Sequence, residues 1–322
     1  MKAIVQDEYG SPDALELRDI DEPAVDDNDV LVRVHAASVN FGDWATMKGM
    51  PYMFRMVFGL RRPKVKVRGR DVAGQVEAVG RAVTQFQPGD EVYAEVDQGT
   101  FAEYTCASED LFGLKPVNLT FEQAAAVPLA AGTALQGLRD TGKVRPGQKV
   151  LINGASGGVG TFAVQIAKSF GAEVTGVCRT RNVDLVRSIG ADRVIDYTKD
   201  DFTQSGLRYD LIFDLVGNHS LSDCRRALTP KGTLVLSSGK GGRFLGPVGR
   251  LLRALVLSLF VSQRLRPLAA RQSQGDLVLL KELIESGKVT PAIDRTYALS
   301  ETAEAMRYFG DGHARAKIVI TM

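Results

Sequence analysis

The residues best placed to do chemistry lie in Gly154-Ala-Ser-Gly157-Gly158-Val-Gly160, between the apolar Val150-Leu-Ile-Asn153 and the helix-like Phe162-Ala-Val-Gln-Ile-Ala-Lys168. A strand, a glycine turn and a helix in that order form a phosphate cradle. Bare Cα atoms at Gly157, Gly158 and Gly160 let backbone N–H groups approach a pyrophosphate, and the helix N-terminus favours its negative charge. Ser156, Gly157, Gly158 and Val159 are thus the expected contacts to a dinucleotide. The next predicted strand, Glu173-Val-Thr-Gly-Val-Cys178, indicates which dinucleotide. NAD needs a carboxylate near the end of that strand for its ribose 2′-hydroxyl. Here the chain continues Arg179-Thr-Arg181-Asn182, where two guanidinium groups suit a 2′-phosphate. NADP(H) is the expected cofactor.

No metal is expected beside it. A catalytic zinc takes about three protein ligands and a structural zinc about four. Cys106, Cys178 and Cys224 are far apart, with no C-x-x-C pair, and His35, His219 and His313 are not spaced as a site. The scattered cysteines fit a reducing compartment. A net charge of only +2 gives no electrostatic case for nucleic acid. The run Ala254-Leu-Val-Leu-Ser-Leu-Phe-Val261 is much shorter than the roughly 20 residues of a membrane span. Met1-Lys-Ala-Ile-Val-Gln-Asp-Glu8 meets acidic residues too early for a secretory signal, so a cytoplasmic protein is expected.

These residues need a frame to hold them. With 322 residues, 44% of them hydrophobic, the chain is long enough for two domains. Its first third reads as short strands, including Val30–His35, Val72–Val79 and Glu91–Val96, separated by turns such as Gln87-Pro-Gly-Asp90. Such a pattern predicts a compact barrel or sandwich. The alanine-rich stretch from Glu122 to Leu138 is helical in composition, with Pro128 and Gly132 expected to break or bend it. From Lys149 strands and helices alternate, with later strands predicted at Arg193–Ile195, Asp210–Val216 and Thr233–Ser237. That alternation is what a doubly wound parallel sheet requires. A glycine-rich loop at 241–249 and a basic, leucine-rich helical segment near 250–268 follow. A helix at Asp276–Ser286 and a strand at Lys317–Thr321 complete the pattern.

Taken in order, these features resemble the zinc-independent, quinone-oxidoreductase-like branch of the medium-chain dehydrogenase/reductase superfamily. The likeness runs nearly end to end. It is carried by Gly69-Arg-Asp-Val-Ala-Gly74, Val79-Gly80, Phe86-x-Pro-Gly-Asp-Glu-Val92, Ala124-Ala-Ala-Val-Pro128, Thr133-Ala134, the glycine turn, Gly190-Ala-Asp192 and Ile195-Asp-Tyr197. It implies an α/β protein with a GroES-like β domain at 1–122, completed by 288–322, and a Rossmann domain at 123–287. Zinc-using relatives carry G-H-E where this chain has Gly69-Arg70-Asp71, and a cysteine near Asn40. They also carry a four-cysteine lobe with no counterpart beyond Cys106.

The same resemblance implies an NADPH-dependent reductase of an apolar quinone or an α,β-unsaturated carbonyl compound. Two readings stay open beside it: metal-free alcohol or aldehyde redox chemistry, and a nucleotide-binding protein with a sensing or structural role. Asn40 is implied beside nicotinamide and substrate, where its amide would polarise an oxygen; alternatively it is a turn former. Asp43 is expected to anchor that loop. Thr133, Val216, Gly217 and Ser237 match positions that line the nicotinamide pocket in relatives. Tyr197 falls near the adenosine phosphate or simply closes a strand. Lys317 falls near the active cleft or is solvated. A tyrosine expected shortly after Asn40 is absent, the stretch reading Trp44-Ala-Thr-Met47. The proton donor is then water, Tyr52 or the cofactor ribose. Residues 50–62 read as a flexible apolar wall or a plug, and 250–268 as a cap, a dimer surface, a membrane contact or a buried helix. A homodimer is implied by the family.

Overall fold

The computed structural model describes residues 1–237, 248–312 and 314–322, with Phe54 described by its backbone only. The chain divides into two compact units: residues 1–132 with 272–287 and 291–322, and residues 133–271 with 288–290. The expected loop at 241–249 falls, up to residue 247, outside the described residues, as does His313.

In the second unit six strands form one sheet in the order Arg193–Asp196, Glu173–Cys178, Lys149–Asn153, Tyr209–Asp214, Leu228–Leu236, Arg264–Pro267. Every neighbouring pair is parallel. Parallel strands need crossovers, and the helices Gly158–Ser169, Val183–Ser188 and Leu221–Arg226 lie between successive strands in sequence. The order reverses direction between Lys149–Asn153 and Tyr209–Asp214, the switch point at which sheets of this kind take ligands.

Structure and sequence pattern differ between residues 250 and 268. The segment near 250–268 is not helical throughout: the helix Val248–Ser258 is followed by the strand Arg264–Pro267. Arg264-Leu265-Arg266 alternates, with Leu265 buried and both arginines exposed, so a two-residue period was hidden inside a basic, leucine-rich composition. The helix itself buries little beyond Ala254, which rules out a buried helix there.

The first unit is built on a seven-stranded sheet. Asp29–Val39 lies at its centre, paired antiparallel with Lys317–Thr321, Asp71–Val79 and Tyr104–Ser108. Its extended, β-branched core residues Val30, Val32 and Val34 pack with Val72, Val92 and Phe112. Residues 272–287 belong to this unit and not to the second, against the expectation that they complete the Rossmann domain. The helix Gln274–Glu285 is fixed there by polar contacts: Tyr93 Oη donates to Leu277 O at 2.6 Å and Gln274 Nε2 to Phe112 O at 2.9 Å. The Glu122–Leu138 stretch forms two helices, Phe121–Ala125 and Pro128–Gln136, broken at Pro128 while Gly132 continues the second. Residues 50–62 form the short turns Tyr52–Phe54 and Arg55–Phe58, with Met56, Val57 and Leu60 exposed.

Candidate functional site

Each unit carries a polar constellation. In the second, the glycine turn leaves the C-terminal end of Lys149–Asn153 and runs directly into Gly158–Ser169. A Cβ at Gly160 would lie 2.0 Å from Gly154 O, so only glycine lets the helix start this close to the strand end. Gly157 differs. Its φ is −83°, open to any residue, and a Cβ there would make only an ordinary contact with Gly154 O at 3.5 Å. Packing gives no reason for glycine at 157; close approach of a ligand does. Gly157 is the helix N-cap and offers no side chain, leaving the first-turn donors around Gly158 and Val159 to be met from outside the helix.

The other predicted cofactor residues stand at neighbouring strand ends. Ser156 Oγ accepts from Asn182 Nδ2 at 2.9 Å, which ties the turn to the segment after Glu173–Cys178. Arg179 and Arg181 are exposed on that segment. Tyr197 follows Arg193–Asp196, is 54% exposed, and donates its backbone N–H to Cys178 O at 3.0 Å. Val216 and Gly217 follow Tyr209–Asp214, and Ser237 follows Leu228–Leu236. A residue given no role from sequence organises this end. Asp214, wholly buried, accepts from Asn153 Nδ2 at 2.8 Å, Gly217 N at 2.9 Å and Arg250 Nη2 at 2.8 Å. One carboxylate thus joins the switch-point strands, shapes the Val216-Gly217 loop and anchors the helix Val248–Ser258.

In the first unit, strand register brings together residues distant in sequence. Ile318 pairs with Val39, and Ser38 pairs with Asp71, so Lys317, Asn40 and Asp71 collect at one end of three adjacent strands. Lys317 Nζ donates to Asn40 Oδ1 at 2.5 Å and Asp71 Oδ2 at 3.3 Å. Asn40 Nδ2 donates to Asp71 Oδ2 at 2.9 Å and Ser38 O at 3.3 Å. Ser38 Oγ and Leu129 N also donate to Asp71, at 2.8 and 3.0 Å. Asn40, Lys317 and Asp71 are all buried. The Asn40 amide is therefore committed on both sides, oxygen to the lysine and nitrogen to the aspartate, rather than projecting as a free donor. Lys317 is not solvated; it is the only cation in ion-pair contact with Asp71 among the described residues.

Asp43 anchors the loop as expected, its Oδ2 accepting from Asn40 N at 2.8 Å. Burial pushes its carboxyl up to about 7, against the pull of the Asn40 N–H. Burial does the same to Glu95, also to about 7, although Arg70 sits 2.9 Å away. Tyr52 is partly exposed with the Arg55 guanidinium 4.8 Å above its ring. Thr133 is half-buried on Pro128–Gln136. His35 stacks on Phe121 at 4.2 Å in the first unit, and His219 packs on Phe202 in the second.

A β-rich unit joined to a parallel-sheet unit, with a glycine turn at the switch point, defines a nicotinamide-dinucleotide-dependent oxidoreductase. Comparison with known proteins agrees. Residues 26–118 match the alcohol dehydrogenase GroES-like domain, and residues 189–320 a family described as zinc-binding dehydrogenase. The chain is 36% identical to the chloroplastic NADPH-dependent alkenal/one oxidoreductase of Arabidopsis thaliana, covering 99% of this chain and 79% of that one. It is 34% identical to the 2-methylene-furan-3-one reductase of Solanum lycopersicum, with 99% and 79% covered. Among solved structures, the quinone oxidoreductase from Coxiella burnetii superposes with a TM-score of 0.87 at 31% identity, covering 100% of this chain and 99% of that one. The chain belongs to the medium-chain dehydrogenase/reductase superfamily, in its quinone-oxidoreductase-like branch.

Proposed function

We propose that this chain is an NADPH-dependent, zinc-independent reductase that transfers hydride to an α,β-unsaturated carbonyl compound or a quinone. The observation that carries the cofactor half is the glycine turn at the switch point, with Gly157 free of any packing demand and Arg179 and Arg181 after the second strand. When bound, the reduced nicotinamide supplies the hydride. The turn's amides would hold the pyrophosphate, the two arginines the 2′-phosphate, and Val216, Gly217 and Ser237 the nicotinamide side, with Asp214 fixing their loop. The Arabidopsis and tomato relatives are named for enal, enone and furanone substrates, and the Coxiella structure for quinones.

Zinc does not fit the residues at its family position. Arg70 cannot ligate a metal and is ion-paired with Glu95. The oxygens of Asp71 already accept from Ser38, Asn40, Leu129 N and Lys317. Among the described residues, no group of three or more His, Cys, Asp or Glu is placed to hold an ion. Electrophilic help must come from hydrogen-bond donors, with Asn40 and Thr133 as the candidates and Lys317 and Asp71 setting the orientation of the Asn40 amide. Asp43, which keeps a proton up to about pH 7, joins water, Tyr52 and the ribose as a proton source.

A homodimer belongs to the same proposal. Arg264–Pro267 is an outer strand of its sheet, and Leu259 and Phe260 beside it are 80% and 78% exposed. No helix among the described residues is long and apolar enough to cross a membrane. All three cysteines are unpaired, which supports a reducing compartment and, we propose, the cytoplasm; the Arabidopsis relative's chloroplastic name makes cell fractionation the check.

The test is oxidation of NADPH and NADH by purified protein against quinones, enones and simple aldehydes, with and without a chelator. Turnover on quinones or enones, preferring NADPH and indifferent to chelator, is expected. Replacing Arg179 and Arg181 together with alanine should weaken NADPH about 10- to 100-fold and NADH by under about threefold. Equal losses for both cofactors would remove the arginines from the 2′-phosphate.

A further inference from the structure

The first unit contains a pocket of about 380 Å³ whose wall does not match a purely apolar ligand. Its apolar side is made by Val57, Phe58 and Val65, and its polar side by Lys64, Arg68 and Arg70, with Asp43 and Asp97 on the same lining. Arg68 stands out. It is 2% exposed, its Nη1 donates to Gln98 Oε1 at 3.2 Å, and its Nε and Nη2 are buried without an acceptor.

The guanidinium has no easy retreat. Arg68 N donates to Ile4 O at 3.2 Å and its carbonyl accepts from Phe101 N at 2.8 Å, so its backbone is fastened between two segments. Nor do neighbouring carboxylates take it over. Glu95 is held by Arg70 at 2.9 Å, and Asp97 receives the Gln272 amide at 3.3 Å. Burial lifts the Asp43 carboxyl to about 7, which leaves it a weak counter-ion near neutral pH. A buried, unpaired guanidinium costs several kcal/mol in stability, so its retention calls for a role. Arginine's planar fork matches a carboxylate with two parallel hydrogen bonds, and Nε with Nη2 is one edge of that fork.

We propose that this pocket binds an organic carboxylate with a short apolar chain, with the free Nε and Nη2 edge of Arg68 gripping the carboxylate and Val57, Phe58 and Val65 covering the chain. This deepens the reductase reading and rests on it for turnover: the substrate class becomes an α,β-unsaturated carbonyl compound that also bears a carboxylate. Binding itself does not depend on that reading. Asp43 connects the pocket to Asn40, whose backbone N–H it accepts.

The experiment is calorimetric titration of the full chain at about pH 7 with hexanoate, its neutral analogue hexanamide, and inorganic phosphate. Hexanoate should bind at least about tenfold tighter than either comparator, a difference of one charge-assisted fork. Arg68→Met should abolish that preference while leaving NADPH binding within about twofold. Arg68→Lys, which keeps the charge and loses the fork, should retain part of it and serves if the methionine variant fails to fold. Equal binding of hexanoate and hexanamide overturns the proposal. So does phosphate matching hexanoate, or an acid preference that survives in Arg68→Met. A parallel assay compares 4-oxopent-2-enoate with its methyl ester: wild type should show the lower KM for the acid, and Arg68→Met should erase the gap. Hexanoate binding that depends on Arg68, together with no turnover of either enone or of any quinone or enone in the panel, supports the pocket and refutes the reductase.

Discussion

Asp43 and Glu95 are carboxyls that burial has moved into the physiological range, each to about 7. The unfolded chain releases these protons near pH 4, so between about pH 4 and 7 the folded state binds more protons than the unfolded one. That contribution is fully present below the unfolded pKa values and is lost as the pH rises through about 7. Stability should therefore decline over this window, and Asp43→Asn should flatten the decline in urea melts taken at half-unit steps. An unchanged slope in the variant would return Asp43 to an ordinary acidity. The same buried network limits what can be asked of Asn40. Its amide oxygen accepts from Lys317 and its nitrogen donates to Asp71 and Ser38 O, so it polarises a substrate oxygen only if one of the two Nδ2 bonds is given up. A buried ammonium and carboxylate are costly to separate, which makes the trio stiff and suited to holding a fixed orientation.

At the scale of elements, the glycine turn separates a folding requirement from a binding one. Gly160→Ala would place a methyl 2.0 Å from Gly154 O, so the strand and helix must move apart; a melting temperature lowered by several degrees and lost dinucleotide binding are expected. Gly157→Ala meets no such contact. It should melt with wild type yet bind NADPH at least about tenfold more weakly, because under the proposed cofactor reading the methyl would stand where the pyrophosphate approaches. Normal NADPH affinity in Gly157→Ala would contradict the cradle. The element missed in sequence, Arg264–Pro267, shows why composition misleads: its arginines advertise a surface helix, whereas the strand pairs with Leu228–Leu236 and buries a single leucine, Leu265. Shorter strands such as Phe112–Leu114 are missed for a related reason, since three residues carry no period to read.

For the whole molecule, the proposed homodimer is tested by sedimentation at micromolar concentration. Wild type should sediment as a dimer, and the double variant Leu259→Asp, Phe260→Asp as a monomer with unchanged melting, since neither side chain is buried in the described chain. Monomeric wild type contradicts the dimer. What the amino-acid order determines by itself is local. The strand–turn–helix at Lys149–Ser169, the missing carboxylate after Cys178 and the alternation that demands a parallel sheet are all written in the order of neighbouring residues and elements. The constellation in the first unit is not. Lys317 meets Asn40 across 277 positions and Asp71 across 246, because antiparallel registers on either side of Asp29–Val39 carry those strand ends together. Likewise Gln274–Glu285 follows the Rossmann strands in sequence but packs with Tyr93 and Phe112. Periodicity and turn chemistry act over a few residues; register and burial act over the chain, and only the folded structure could decide which charges would be buried together.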